Sequence, residues 1–229
     1  MGGRYEFKHF KYSSHYWILK FISEKRPPLR ILDVGTAEGY LGAILNQQGH
    51  SVHGVDRDPV MSEKARSYYD SFYVSDLERF SFPYQQEFDY ILLADVLEHM
   101  REPAAVLQRS LSCLKPNGEV IVSIPNVAHI FVRLSLLFGR FDYADRGILD
   151  RTHLRFFTLR SARKMIEEAS CRILEGAVTP LPLQLVFPST DRQICAPIHE
   201  INYLIAALWK TAFAYQFVLR ATKRAWPGA

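Results

Sequence analysis

The chain has 229 residues, 48% of them hydrophobic, enough to bury a sizeable core and too few for more than one or two domains; one is expected. Its 28 basic and 24 acidic residues give a net charge of +4, a mild balance that reads as a solvated surface and argues against nucleic-acid binding. Three cysteines, Cys113, Cys171 and Cys195, lack C-x-x-C or C-x-x-H spacing, which argues against a disulfide framework or a cysteine zinc site and fits a reducing cytoplasm.

The N-terminus carries scattered charges and no uninterrupted apolar core, so no signal peptide is expected, and Glu6 stands where myristoylation needs Ser or Thr. A helix follows within residues 1–28, capped by Ser13 or Ser14, with Tyr16, Leu19 and Ile22 on one face and Pro27-Pro28 as its stop. "RILDVG" (30–35) reads as a strand, and "GYLGAILNQQG" (39–49) as a helix closed by Gly49. "SVHGVDRD" (51–58) is a second strand, after which Asp58-Pro59 caps and opens a helix to about Tyr69. "FYVSDL" (72–77) is a third strand. "FDYILLAD" (88–95) is nearly continuous in apolar residues, as a strand covered on both faces requires. Pro103 opens the next helix, the "KPNG" turn at 115–118 closes it, and "EVIVSIPN" (119–126) is the fifth strand.

This alternation implies right-handed crossovers and a doubly wound α/β sheet. Beyond it lie a helix from about Thr158, a strand "CRILEGAV" (171–178), a helical stretch 200–213 and a last strand "YQFVLRAT" (215–222), expected to complete an edge. The run 201–219 approaches the length of a membrane span, but Asn202, Lys210 and Gln216 interrupt it, and a central lysine costs about 3 kcal/mol there. A core helix plus strand is expected instead, with peripheral membrane contact as the remaining option.

The first strand–turn–helix reads "LDVGTAEGYLG". Gly35 and Gly39 let backbone approach a ligand closely, and the helix start offers free N–H groups. Asp56, twenty-one residues beyond Gly35, ends the second strand, where a carboxylate accepts both hydroxyl hydrogens of a ribose. With Asp76-Leu77 after strand three and "LKPNG" before strand five, the chain resembles a class I S-adenosylmethionine-dependent methyltransferase over roughly residues 30–125. The departure is Ala37, where that family usually has a glycine, so a tighter or shifted loop is expected. The resemblance implies a Rossmann-like seven-stranded, mostly parallel sheet and S-adenosylmethionine as cofactor. Asp33 and Gly35 would lie at the methionine end, Gly39 at the helix start, Asp56 at the ribose, Asp76 and Leu77 at the adenine, and Asp95, ending strand four, among the cofactor-lining residues. "DVLEHM", "SIPN" and "GRFDYADRGILDRTHLRFFT" are further similar to bacterial methyltransferases associated with glycan and cell-surface polysaccharide synthesis. That similarity implies a sugar or glycan hydroxyl as acceptor, with a lipid or quinone-like compound or a nitrogen as alternatives.

The expected organisation is therefore an N-terminal helical segment (1–28) and a methyltransferase domain (29–229). An acceptor lid at 127–158, long enough to have a function of its own, joins strand five to the next helix. A hydroxyl acceptor loses a proton as it attacks, for which histidine is the usual base. His99, His129 and His153 lie in segments at the carboxyl edge, and neither periodicity nor spacing separates His153 from His99. His50 and His53 read as structural. Seven arginines from Arg133 to Arg163 exceed the acids around them, and Arg151 and Arg155, flanking His153, are candidates for an anionic acceptor. No metal is required, although Asp95, Glu98 and His99 share a helical spacing that His129 or His153 could complete, an arrangement similar to that of small-RNA methyltransferases. Two rivals stand beside methyl transfer: a nicotinamide dehydrogenase, which would share the glycine loop and Asp56, and a non-catalytic protein with a vestigial pocket.

Overall fold

The apolar run at 88–95 and the shorter runs at 30–35 and 51–58 fold as strands of one sheet in the computed structural model, which describes residues 10–186, 190 and 193–224. The stretch bearing Glu6 and the signal-peptide reading lies outside the described residues. In chain order the strands are β1 (Arg30–Val34), β2 (Ser51–Asp56), β3 (Ser71–Val74), β4 (Phe88–Ala94), β5 (Leu114–Pro125), β6 (Cys171–Thr179) and β7 (Gln216–Lys223). The helices are α1 (Ser14–Ser23), α2 (Tyr40–Gln47), α3 (Pro59–Ala65), α4 (Pro103–Leu111), α5 (Ile130–Leu137), α6 (Leu159–Glu168), α7 (Leu183–Val186), α8 (Ala196–Leu208) and α9 (Lys210–Phe213).

The seven strands lie in the order β3-β2-β1-β4-β5-β7-β6, with β1 to β5 parallel and β7 antiparallel to both its neighbours. This is the seven-stranded, mostly parallel α/β sheet expected from the sequence, with one correction. The last strand is not the edge: β7 inserts between β5 and β6, and β6 closes the sheet. Its apolar Phe217, Val218 and Leu219 are buried, as an interior strand requires. "KPNG" is absorbed within β5, where the register with β4 moves from Phe88–Leu114 to Tyr90–Glu119 and the extra residues bulge.

Ser13, not Ser14, caps α1, accepting the Tyr16 N–H at 3.1 Å. The buried face runs through Trp17, Ile18, Phe21 and Ile22, so the expected Tyr16–Leu19–Ile22 stripe is displaced: Tyr16 and Leu19 are half-buried. Each large apolar side chain sealed there contributes about 1.5–3 kcal/mol. Trp17 adds a hydrogen bond from Nε1 to the Val178 carbonyl of β6, so α1 is packed across the sheet.

Residues 127–158 leave the sheet after β5 and return beside it, where Asn126 bridges Phe157. Between these points α5 contributes only Val132 to a small cluster with Ile148 and Leu149. The segment that follows is pinned to a 3₁₀ turn at Leu97–His99, because the amides of Leu154 and Arg155 both donate to the Glu98 carbonyl, at 2.8 and 3.0 Å. Residues 201–219 divide into α8, α9 and β7, and no helix among the described residues is long and apolar enough to cross a membrane.

Candidate functional site

Strand order reverses between β1 and β4, so a crevice opens at their carboxyl ends. The chain leaving β1 crosses it with three left-handed residues, Gly35 (φ 82°), Ala37 (φ 48°) and Gly39 (φ 81°). Gly35 has no alternative: a Cβ there would lie 2.4 Å from Cγ2 of Val96. Ala37 takes its left-handed backbone at a cost of about 1–2 kcal/mol. It is held there because its N–H donates to Oδ2 of Asp56 at 2.8 Å. Oδ1 of Asp56 accepts the Asp58 N–H at 2.9 Å, so one buried carboxylate ties the β1 and β2 loops together.

Asp33 is buried in β1, and the Tyr69 hydroxyl donates to it at 2.7 Å. Burial raises its pKa to about 7, with the Asp56 carboxylate pushing the same way and the Tyr69 hydrogen bond opposing. His15, Thr36, Tyr40 and Leu41 join Asp33 and Gly35 around the enclosed end of the crevice, whose volume of about 10 Å³ admits one water-sized group. Asp95, at φ 56°, is fixed by Ser123 Oγ and by Gln216 Nε2, the latter at 3.0 Å, so β5 and β7 both hold it. Asp76 is exposed and caps its own turn through the Glu78 N–H at 3.0 Å, while the Leu77 side chain belongs to the core. Sequence reasoning missed Tyr69 and Gln216, whose partners lie far away along the chain, and His15, which α1 brings to the crevice. The donor set fits S-adenosylmethionine: carboxylates at the ends of β1 and β2 suit an ammonium and a ribose diol, and the Gly35 backbone cannot carry a side chain.

Of the three histidines, two come together. The rings of His99 and His153 meet edge to face with centroids 4.8 Å apart. Nδ1 of His153 lies 3.0 Å from the Ile148 carbonyl, and Nδ1 of His99 lies 3.2 Å from that of Thr152. Carbonyls only accept, so in each ring this contact assigns a proton to Nδ1, and either ring would act as a base through Nε2. Burial lowers the pKa of His153, and the neighbouring His99 lowers it further, keeping the ring neutral at physiological pH. His129 stands apart: its Nδ1 caps α5 by accepting the Phe131 N–H at 3.2 Å, and burial drops its pKa to about 4. His50 and His53 are structural, one accepting the Leu29 N–H and the other bonded to Ser71 within the sheet.

Glu98, His99 and His153 also place their ligand atoms within 4.8 Å of one another. Asp95, the third member of the spacing suggested by sequence, and His129, the alternative to His153 for completing it, are not in that group. An open depression of about 550 Å³ adjoins it, lined by Tyr143, Arg151, His153, Leu154 and Phe156. Arg151 is exposed there and pairs with Asp145 at 2.8 Å. Arg155 is braced instead, its guanidinium donating twice to the Arg101 carbonyl at 2.9 and 2.7 Å.

The family model for the "Methyltransferase domain" matches residues 10–175. The chain is 31% identical over 138 residues to a tRNA 5-carboxymethoxyuridine methyltransferase of Escherichia coli K12, covering 56% of this chain and 52% of that relative, about half its length. It is 28% identical over 207 residues to a ubiquinone biosynthesis O-methyltransferase of Xanthomonas axonopodis pv. citri, covering 83% and 81%. In fold it is similar to an S-adenosylmethionine-dependent methyltransferase from Mesorhizobium loti (TM-score 0.62, 16% identity, 92% and 98% covered). It is similar too to magnesium protoporphyrin IX methyltransferase from Synechocystis with bound SAH (TM-score 0.61, 18% identity, 92% and 80% covered). The expected exclusion of nucleic acid has no support from this set, since one relative is named for a tRNA, and neither does the glycan association.

Proposed function

The chain belongs to this methyltransferase family, and we propose that it is an S-adenosylmethionine-dependent methyltransferase that methylates a hydroxyl oxygen of a small-molecule acceptor seated in the depression beside His99 and His153. The observation that carries this reading is the edge-to-face pair of His99 and His153, each with its Nδ1 held by a backbone carbonyl, so that Nε2 of His153, at the wall of the depression, is the atom placed to act as a base. Support for oxygen as the methylated atom comes from relatives named as O-methyltransferases. A sugar or glycan hydroxyl, favoured by the sequence resemblance, rests on that resemblance alone.

When bound, S-adenosylmethionine supplies an electrophilic sulfonium methyl. Asp33 receives its ammonium end, Asp56 its ribose, and Asp76 with Leu77 its adenine, with Asp95 completing the lining. Nε2 of His153 takes the acceptor's proton and His99 orients that ring or shares the role. Residues 127–158 act as the acceptor lid, and Arg151 meets an anionic group. Alignment of nucleophile and methyl is the larger effect, worth up to about 7–11 kcal/mol in favourable cases, and the base adds about 10²–10⁴-fold.

The test is turnover with radiolabelled donor against nucleotide sugars, lipid-linked sugars, phenols and tRNA. Transfer to a hydroxyl compound that falls by about 10²–10⁴-fold in His153→Asn, with cofactor affinity retained, is the expected result. Unchanged turnover in both His99→Asn and His153→Asn would remove the base. The grouping of Glu98, His99 and His153 favours a second reading, in which those side chains hold a divalent ion that polarises the acceptor oxygen. Activity lost on thorough chelation and restored by added Mn²⁺ or Zn²⁺ would select it.

A further inference from the structure

Two helices, α5 and α8, are built inside out. On α8 the side chains turned to the protein are small or polar: Ala206 is buried, Asn202 donates to the Leu181 carbonyl at 2.8 Å, and Tyr203 stacks on Tyr12 at 3.7 Å between centroids. Its outer face carries Ile198, Ile201, Leu204, Ile205 and Leu208, the last 87% exposed, and Trp209 follows. On α5 only Val132 is buried, while Phe131, Leu134 and Leu137 are exposed and Phe138, just beyond the helix, is 76% exposed. A globular surface helix has the opposite pattern.

The two helices are linked through α9, which follows α8 directly: the Arg133 guanidinium on α5 donates to the Thr211 carbonyl of α9 at 3.0 Å. The chain just past α5 leads to the depression: Phe141 lies 5.7 Å from both Tyr143 and Phe156, centroid to centroid, and those two rings line it. Exposed apolar surface of this extent marks a contact with something apolar.

Charge decides what that is. Residues 130–141 and 194–213 hold three basic side chains, Arg133, Arg140 and Lys210, against one carboxylate, Glu200, which is turned away and bonded to Lys11 and Tyr12. A symmetric dimer through this face would bring two patches of the same positive sign together. An anionic lipid surface complements them, and Trp209 suits the boundary between headgroups and acyl chains.

We propose that α5 and α8 seat this protein on an anionic bilayer, with the depression at the rim of the contact, so that the acceptor is a lipid-anchored hydroxyl compound. The docking stands on the surface itself; the acceptor class rests on the function proposed above. The experiment is co-sedimentation of the full chain with phosphatidylcholine vesicles, with and without phosphatidylglycerol. Binding should strengthen with phosphatidylglycerol by about fivefold for each basic residue at the surface. It should weaken by at least about tenfold in Phe138→Asp and in Leu208→Asp, since each removes a buried apolar contact. Both positions are exposed, so the variants should keep wild-type affinity for S-adenosylmethionine, which serves as the check on folding. Equal binding by the variants, or no vesicle binding by a monomer, overturns the proposal. So does a dimer in light scattering that both variants dissociate, which would make a second copy the occupant. Vesicle binding without methyl transfer to any lipid-linked acceptor supports the docking and refutes the acceptor class alone.

Discussion

Asp33→Asn keeps the shape of a buried side chain and removes its charge, and the effect on stability has a definite sign. The folded protein holds the Asp33 proton up to about pH 7, whereas the unfolded chain releases it near the ordinary value of 3.8. Across that interval the folded state binds more protons, so wild-type stability falls as pH rises from about 4 to about 7 and levels off above. At about 1.4 kcal/mol per pH unit the full penalty is at most about 4 kcal/mol, caused first by burial and then by the neighbouring Asp56. An asparagine oxygen still accepts the Tyr69 hydroxyl, so the variant loses the penalty and keeps the hydrogen bond. Urea unfolding of both proteins at about pH 5 and about pH 8 measures it: wild type should lose a few kcal/mol between the two, and Asp33→Asn much less. Affinity for S-adenosylmethionine should fall in the same variant, which would make Asp33 a site where stability is given up for binding. Equal losses in the two proteins would refute the buried-carboxylate account.

Gly35→Ala sets a methyl against Val96 in a left-handed backbone, and a drop of about 1–3 kcal/mol is expected in chemical unfolding. His129→Ala removes the α5 cap and should cost about 0.5–2 kcal/mol of stability while leaving turnover at the wild-type level, in contrast to His153→Asn. Arg151→Gln should raise the KM for an anionic acceptor without changing cofactor affinity, whereas Arg155→Gln, which frees the Arg101 carbonyl, should show in thermal stability first.

Local signals carried much of this fold. The Asp33-to-Gly39 loop, the Asp58-Pro59 cap and the apolar run of β4 are encoded within a few residues, and they fold where their spacing predicts. Strand order is not local: the residues of β7 read equally well as an edge, and only pairing with both β5 and β6 fixes them inside. The same limit applies to side chains. Tyr69 reaches Asp33 and Gln216 reaches Asp95 across long sequence separations, and neither has a motif of its own. His99 and His153 were indistinguishable candidates in the sequence because what joins them is the anchoring of residues 154–155 to the Glu98 carbonyl. Ala37 shows the converse: a residue that departs from the family pattern is held in a left-handed backbone by the Asp56 carboxylate at its amide.

Calorimetric titration with S-adenosylmethionine and, separately, with NAD, on wild type and Asp56→Ala, bears most directly on the cofactor site. S-adenosylmethionine should bind the wild-type protein and NAD should not. Asp56→Ala should lose about 1.5–3 kcal/mol of that affinity for each charge-assisted hydrogen bond removed. Wild-type affinity in Asp56→Ala, or a preference for NAD, would contradict the assignment of this crevice.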